Sequence, residues 1–143
     1  MKKILFVMPT ISCGGAEKAL VELLKNIDYS RCKVDLLLFR KDDMYYLKDI
    51  PKQVNILENN EKFRYAFDHV KNLLKPKMFF KNIPIVLFRC WQTAISKIRK
   101  ILRVKSYYYN WKKLKLIVPL NQKEYDIAIG FLEGNSIYYV VDK

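Results

Sequence analysis

A pair of glycines near the amino terminus is the first candidate ligand site in this sequence. Gly14 and Gly15 lie in the segment PTISCGGAE, between an apolar run and a helical repeat of apolar residues. N–H groups at a helix N-terminus attract phosphate or carboxylate, and glycines let a ligand approach the backbone closely. Neither a GxGxxG fingerprint nor a P-loop signature is present. Ligand binding and a purely structural tight turn therefore both stay open for this segment.

The other reactive side chains form no recognisable constellation. His69 is the sole histidine, and the sequence places no serine, cysteine or acidic partner beside it, which favours a surface or packing role. Cys13, Cys32 and Cys90 are scattered without CxxC spacing, which argues against a zinc site or a disulfide framework and indicates a reducing compartment. Cys13 adjoins the glycine turn, but an inert thiol is its favoured role. We expect no metal and no bound cofactor.

The glycine turn is positioned by a strand, a helix and a second strand. Residues 3–8 form a continuous apolar run closed by Pro9, which is typical of a strand buried on both faces of a parallel sheet. Apolar residues recur at helical spacing over residues 16–27, and residues 33–39 form a second apolar strand. We expect this unit to be parallel and right-handed.

The rest of the chain continues the alternation of strands and helices. Further strands are predicted at residues 53–57 and 125–131. Further helices are predicted at 61–74 and from Pro84 to about residue 104, and a last apolar segment covers 137–141. This alternation is typical of an α/β protein with a Rossmann-like, doubly wound parallel sheet. The 143 residues are predicted to form one such domain.

The sequence predicts a cytoplasmic protein. Its apolar runs are far shorter than the roughly 18 residues that a bilayer-spanning helix needs. The run at residues 4–8 is also too short for a signal peptide, is ended by Pro9, and is followed by no small-residue cleavage site. A peripheral position at the inner face of the plasma membrane is compatible with this compartment.

The net charge of +13 comes from one part of the sequence. Residues 69–123 contain fourteen lysines and arginines and no aspartate or glutamate, whereas the flanking sequence is close to neutral. We call residues 69–123 the basic segment. It is predicted to be a helical insertion within the single domain.

The basic segment contains an amphipathic helix whose role has three alternatives. At about 100° per residue, one arc collects the apolar residues between positions 87 and 102, and most cations fall on the other side. The apolar arc could pack on the sheet or dock on an anionic membrane surface. Cations interleaved with aromatic residues could instead bind nucleic acid, although no signature of such a domain is present. The residues predicted to face a membrane are Arg89, Trp91, Lys97, Arg99, Lys100, Arg103, Trp111, Lys112 and Lys113.

Two stretches of the sequence resemble a known enzyme family. Residues 2–39 begin KKILFVMPTISCGGAEKALVELLKNI, and residues 124–142 contain YDIAIGFLEGN. A hydrophobic first strand, a Gly-Gly-x-Glu turn and a late strand led by Tyr-Asp are similar to the amino-terminal domain of retaining glycosyltransferases of the two-domain GT-B type, family 4. The basic segment matches none of that family's motifs.

The resemblance implies roles for two loops. Gly14 and Gly15 correspond to the turn beside the donor diphosphate and the acceptor, and Glu17 corresponds to the acidic residue that begins the helix. A second loop faces the cleft between the two domains, and its residues are Glu133, Gly134 and Asn135. There Glu133 would hold or orient an acceptor hydroxyl. Each acidic residue also has an explanation that involves no ligand. Glu17 is favourable at the positive end of a helix dipole, and Glu133 could cap the helix that follows it.

The resemblance also implies a missing partner domain. In this family a carboxyl-terminal domain binds most of the nucleotide-sugar and carries a paired-glutamate motif, and we expect these 143 residues to lack it. The implied function is acceptor binding in an enzyme that transfers a sugar to a cell-surface glycan or a lipid-linked acceptor, with this chain inactive alone. The chain would be a fragment or one subunit of a split enzyme. A noncatalytic membrane-recruiting subunit and a nucleic-acid-binding module are the alternatives.

Overall fold

Strands and helices alternate along the chain in a computed structural model, which describes residues 1–41, 44–59, 63, 66–67, 83–101, 111–112, 114–115 and 123–142. The strands are β1 (Lys2–Met8), β2 (Cys32–Leu38), β3 (Asn55–Ile56) and β4 (Ile127–Gly130). The helices are α1 (Gly15–Lys25), α2 (Ile83–Ile101) and α3 (Asn135–Val141), and a short 3-10 helix covers Leu47–Asp49.

The four described strands lie parallel in one sheet, in the order β3-β2-β1-β4. β1 pairs with β2 along its whole length, from Lys2 opposite Cys32 to Met8 opposite Leu38, and β4 lies on its other side. This arrangement confirms the predicted α/β class with a Rossmann-like parallel sheet. The central strands are nearly continuous apolar runs because both of their faces are buried.

Two helices, α1 and α3, contribute buried residues that pack near the sheet. α1 is amphipathic, and it places Leu20 and Leu24 in a buried cluster with Phe6 of β1. α3 contributes Tyr139, which is fully buried and whose ring centre lies 6.0 Å from that of Phe39. These contacts fix the ends of the strands from which the candidate loops leave.

The four strands and the helices α1, α2 and α3 lie where the sequence predicts them, with differences at their ends, whereas the 3-10 helix at Leu47–Asp49 was not predicted. The strand predicted at 53–57 is only Asn55–Ile56, and among the described strands β3 lies at the edge of the sheet and pairs with β2 alone. α2 is described to Ile101, so the predicted continuation to residue 104 lies outside the described residues. Of the helix predicted at 61–74, residues 63, 66 and 67 are described and are helical, and the others lie outside.

The chain divides into two compact units. The first is Met1–Asn59 together with Leu120–Lys143, and it contains the sheet, α1 and α3. The second is Asn60–Pro119, and it contains α2 and overlaps the basic segment. In the part of the chain that the structure describes, no helix combines the length and the apolar character needed to cross a membrane.

Ser136 in α3 is a buried hydroxyl whose removal should stabilise the fold. Its side chain is fully buried, and among the described residues its Oγ has no hydrogen-bond partner. We expect Ser136→Ala to raise the free energy of unfolding by about 1 kcal/mol, because the alanine removes an unsatisfied polar atom from the core. Urea denaturation followed by circular dichroism measures this.

Ser30→Ala is the control for Ser136→Ala. The Ser30 hydroxyl is exposed and donates to the Asp28 carboxylate at 2.6 Å, so its removal should bring no gain in stability. An equal gain in both variants would show that the buried Ser136 hydroxyl is not the cause.

Candidate functional site

The carboxyl ends of β1 and β4 form a topological switch point. From β1 the chain moves outward through β2 and β3, and later places β4 on the other side of β1. In open parallel sheets the loops leave two such strands in opposite directions, which opens a crevice suited to ligands. Val7 pairs with Gly130 near the ends of both strands. The loops that follow β1 and β4 therefore begin side by side.

The loop after β1 brings the predicted glycines to this edge of the sheet. Gly14 is the N-cap of α1 in an extended conformation, and no side chain caps the helix. The Glu17 carboxylate lies against Gly14, so a side chain at position 14 would require the Glu17 side chain to move. At Gly15, by contrast, apart from its chain neighbours and the backbone of its own helical turn, no described atom lies within 4 Å of the place that a Cβ would take. The helix end is therefore open on the Gly15 side, whereas the Glu17 carboxylate occupies the Gly14 side.

The loop after β4 carries backbone strain. Leu132 has a φ of 100° and Gly134 a φ of 88°. For a residue such as leucine this conformation costs about 1–3 kcal/mol, and such residues cluster at functional sites, where surrounding structure holds them in place. The Phe131 N–H donates to the Val7 carbonyl at 2.8 Å, which fixes the start of the loop against β1. The loop is therefore held in a defined shape at the switch point.

The second predicted set of residues lies in this strained loop. Gly134 is the N-cap of α3 and Asn135 is its first residue. Glu133 is exposed. No side chain caps α3, so Glu133 does not cap this helix, which was the alternative to a role in acceptor binding. The structure thus brings the loop containing Gly14 and Gly15 and the loop containing Glu133 to one edge of the sheet, on neighbouring strands.

A polar cluster centred on Asp35 of β2 was not predicted. One carboxylate oxygen accepts a hydrogen bond from Asn55 Nδ2 at 2.7 Å, and the other accepts one from the Tyr125 hydroxyl at 2.6 Å. Lys123 Nζ lies 3.4 Å from the second oxygen. The sequence signal was a single carboxylate in the apolar strand KVDLLLF, since a buried charge requires partners. Those partners come from β3 and from the segment before β4.

The electrostatics of the Asp35 cluster indicate a structural role. Burial by itself would raise the pKa of Asp35, but hydrogen bonds from Tyr125 and Asn55 and the charge of Lys123 outweigh it and hold this pKa below its ordinary value. Burial, together with the hydrogen bond to Asp35, raises the pKa of the Tyr125 hydroxyl. At neutral pH an ionised carboxylate therefore accepts from a protonated phenol, and this charge-assisted bond holds β2 to the start of β4.

A cleft of about 450 Å³ adjoins this cluster at the amino ends of the strands. Its lining residues are Lys3, Lys33, Asp35, Lys123, Glu124 and Tyr125. The lysines share the cleft with two carboxylates, and both oxygens of Asp35 are already hydrogen-bonded. The opposite edge offers an uncapped helix end and a strained loop at a switch point. We therefore place the candidate site at the carboxyl edge.

The residues predicted to face a membrane differ in how exposed they are. Trp91 and Lys112 are exposed, and Arg89 is half-buried. Trp111 is only 2% exposed, which corrects its predicted place on the surface; its indole fills a buried position because a large aromatic ring gains from removal from water. The remaining predictions concern the side chains of Lys97, Arg99 and Lys100 and residues Arg103 and Lys113, and they lie outside what the structure describes.

The remaining reactive residues add no further site. Cys13 is a free, exposed cysteine beside the glycine turn. Within the described ranges, no group of three or more histidine, cysteine or acidic side chains is arranged to hold a metal ion. His69 lies outside the described residues.

Comparison with known proteins returns no family model, no curated protein and no solved structure that matches the chain. The assignment of a function therefore depends on the residues of the switch point and on the resemblance of the two loops.

Proposed function

We propose that this chain is the acceptor-binding half of a GT-B-type glycosyltransferase, which transfers a sugar from a nucleotide-sugar to a cell-surface glycan or lipid-linked acceptor. The observation that carries the proposal is the common position of the two resembling loops. The glycine turn and the Glu133 loop are far apart in sequence, yet they leave adjacent strands at the edge where parallel sheets bind ligands. If the two stretches resembled the family by chance, there would be no reason for their loops to lie at the same edge of the sheet.

Each loop has a chemical role under this proposal. The backbone N–H groups at Gly14 and Gly15 would lie beside the donor diphosphate, with the ligand on the open side of Gly15. Glu133 is an exposed carboxylate that would accept hydrogen bonds from acceptor hydroxyls, and the Asn135 amide would both donate to and accept from them. Most donor contacts would belong to a second domain, as in the resembling family. The nucleotide-sugar is a substrate, and no metal takes part.

Amide chemical shifts test the location of the site. With the 143-residue chain labelled with nitrogen-15, we expect millimolar pyrophosphate or UDP-glucose to shift the amides of Gly14, Gly15, Gly134 and Asn135. The amides of Lys33 and Asp35, in the cleft at the opposite edge, should not move. Shifts confined to Lys33 and Asp35, or no shifts at all, would contradict the proposed site.

Gly15→Ala separates ligand binding from folding. The new methyl group meets open space in the described structure, and alanine favours a helix more than glycine does. We expect the free energy of unfolding to rise by about 0.5–1 kcal/mol, while pyrophosphate binding weakens several-fold because the methyl group occupies the approach to the backbone. Lys33→Ala, at the opposite edge, is the control and should leave binding unchanged. Unchanged binding in Gly15→Ala would remove the glycine turn from the site.

The isolated chain should not transfer sugar. Because the donor would be held mainly by a second domain, we expect no turnover of UDP-glucose or GDP-mannose with the 143 residues alone. Release of UDP or GDP coupled to glycosylation of an acceptor by the isolated chain would contradict the assignment of half an enzyme.

A further inference from the structure

Helix α2 turns a row of large apolar side chains to solvent. Four of them are 40% to 61% exposed, and they are Ile83, Leu87, Trp91 and Ile98. Their spacing of four, four and seven residues places them within one arc of about 80° on the helix. The buried residues of the same helix, Ile85 and Val86, fall outside that arc. We call the four exposed residues the α2 stripe.

The orientation of α2 differs from that of a helix that packs its apolar arc on a core. Leu87, Trp91 and Ile98 belong to the apolar arc that the sequence predicts, and all three are exposed. The rings of Phe88 and Trp91 stack with their centres 6.1 Å apart, which extends the apolar surface at the middle of the helix. Proteins rarely leave a contiguous apolar surface in water unless a partner covers it.

Charge determines which partner fits the α2 stripe. The stripe lies in the basic segment, which contains fourteen cations and no acidic residue, and this charge favours a negatively charged partner. By helical register, positions 97 and 99 lie on opposite sides of the stripe, and they carry lysine and arginine. An exposed apolar stripe on a helix whose other positions are rich in lysine and arginine in the sequence is the pattern of a helix that lies in the plane of an anionic bilayer. Tryptophan suits this interface because its indole is amphipathic.

We infer that α2 docks this chain on an anionic lipid surface, with Leu87, Trp91 and Ile98 inserted between the lipid headgroups. A nucleic acid fits less well, because most of the stripe is aliphatic and has no ring on which a base could stack. The inference is independent of the proposed function, since it concerns α2 and none of the residues at the switch point.

Vesicle flotation tests the docking. The 143-residue chain should float with vesicles of phosphatidylcholine that contain about one third phosphatidylglycerol, and should not float with pure phosphatidylcholine. Binding should weaken as salt is raised, because salt screens the attraction between cations and anionic lipid. Equal flotation with both vesicles, or with neither, would overturn the inference.

Substitutions within the stripe test which residues insert. We expect Leu87→Gln combined with Ile98→Gln to weaken vesicle binding by about tenfold or more, because the apolar side chains supply the buried surface. These positions are exposed, so the fold should be retained, and circular dichroism checks this. Leu23→Gln is the matched control, since Leu23 is a similarly exposed leucine on α1. Binding that is unchanged in the double variant, or equally reduced in the control, would contradict insertion of the stripe.

Tryptophan fluorescence gives a second readout that does not depend on those substitutions. The chain has two tryptophans, and Trp91 is 40% exposed whereas Trp111 is 2% exposed. Anionic vesicles should therefore shift the emission to shorter wavelength and protect it from iodide. Both changes should disappear in Trp91→Phe, which retains Trp111. Vesicle-induced changes that persist in Trp91→Phe, or tight RNA binding that prevents flotation and depends on the α2 stripe, would overturn the inference.

Discussion

Replacing Gly130 by valine is expected to lower the free energy of unfolding by about 2–3 kcal/mol. Gly130 ends β4, and a Cβ at this position would lie 3.0 Å from backbone atoms of Ser136 and Ile137. Those atoms belong to α3, so they cannot give way as the tip of a flexible side chain would. The helix would have to move from the sheet, and the buried Tyr139 would lose part of its packing against Phe39.

Urea denaturation of Gly130→Val, followed by far-ultraviolet circular dichroism, measures this loss. Gly15→Ala is a useful control because it also adds a side chain at a glycine, but at a place where the described residues leave open space. The two glycines should therefore respond with opposite sign. A Gly130→Val protein as stable as the wild type would show that α3 does not approach β4 as closely as the structure has it.

Replacing Asp35 by alanine is expected to lower the free energy of unfolding by about 2 kcal/mol at neutral pH. The substitution leaves the Tyr125 hydroxyl and the Asn55 amide without the carboxylate to which both donate. It also removes the partner of Lys123, although this contribution is smaller because the lysine is largely exposed. Since these partners come from β3 and from the segment before β4, both flanks of the sheet should loosen. Protection of the β4 amides from hydrogen exchange should fall.

The effect of Asp35→Ala should depend on pH in a defined direction. Despite burial, hydrogen bonds and Lys123 hold the pKa of Asp35 in the folded protein below its ordinary value, so the ionised form favours the fold. Its contribution is complete above the ordinary aspartate pKa of about 4 and is lost as the pH falls through the folded-state value. The difference in stability between wild type and Asp35→Ala should therefore shrink in acid.

Two further variants establish that the Asp35 cluster causes this pH dependence. Tyr125→Phe removes one donor to the carboxylate, so the pKa of Asp35 in the folded protein should rise toward its ordinary value and the part of the stability that depends on pH should become smaller. Glu22→Gln removes an exposed carboxylate that pairs with Lys25 within α1, and as a control it should leave the effect of Asp35→Ala on stability unchanged. A difference between wild type and Asp35→Ala that is constant with pH would contradict a role for the ionised carboxylate.

The Tyr-Asp pair by which the sequence resembles the family, Tyr125 and Asp126, has a structural role that the sequence does not reveal. Tyr125 donates to Asp35, and the Asp126 carboxylate accepts from the backbone N–H of Lys3 at 2.7 Å. The Asp126 N–H in turn donates to the Lys3 carbonyl at 2.9 Å. The pair thus fixes the start of β4 against β1 and β2. Its role is to align the strand whose far end carries the Glu133 loop.

The candidate site could be predicted from sequence to the extent that it is local. The glycine turn was recognisable because strand, turn and helix follow one another within residues 3–27, and each has its own periodicity. The loop at Glu133 was recognisable by resemblance alone. The strain at Leu132 could not be predicted, because leucine rarely adopts a positive φ and its presence in the sequence gives no sign of one. The Asp35 cluster joins β2 to a tyrosine 90 residues away, and no local pattern predicts such a contact.

The sequence by itself determined the α/β class, the order of the elements and the confinement of the charge to the basic segment, because hydrophobic periodicity and composition are properties of neighbouring residues. Only the tertiary structure decided that β4 lies beside β1, which brings the two loops to one edge. It also decided that α2 exposes Leu87, Trp91 and Ile98 while Trp111 is buried. An amphipathic pattern shows that a helix has an apolar face, but what covers that face depends on contacts between residues distant in sequence.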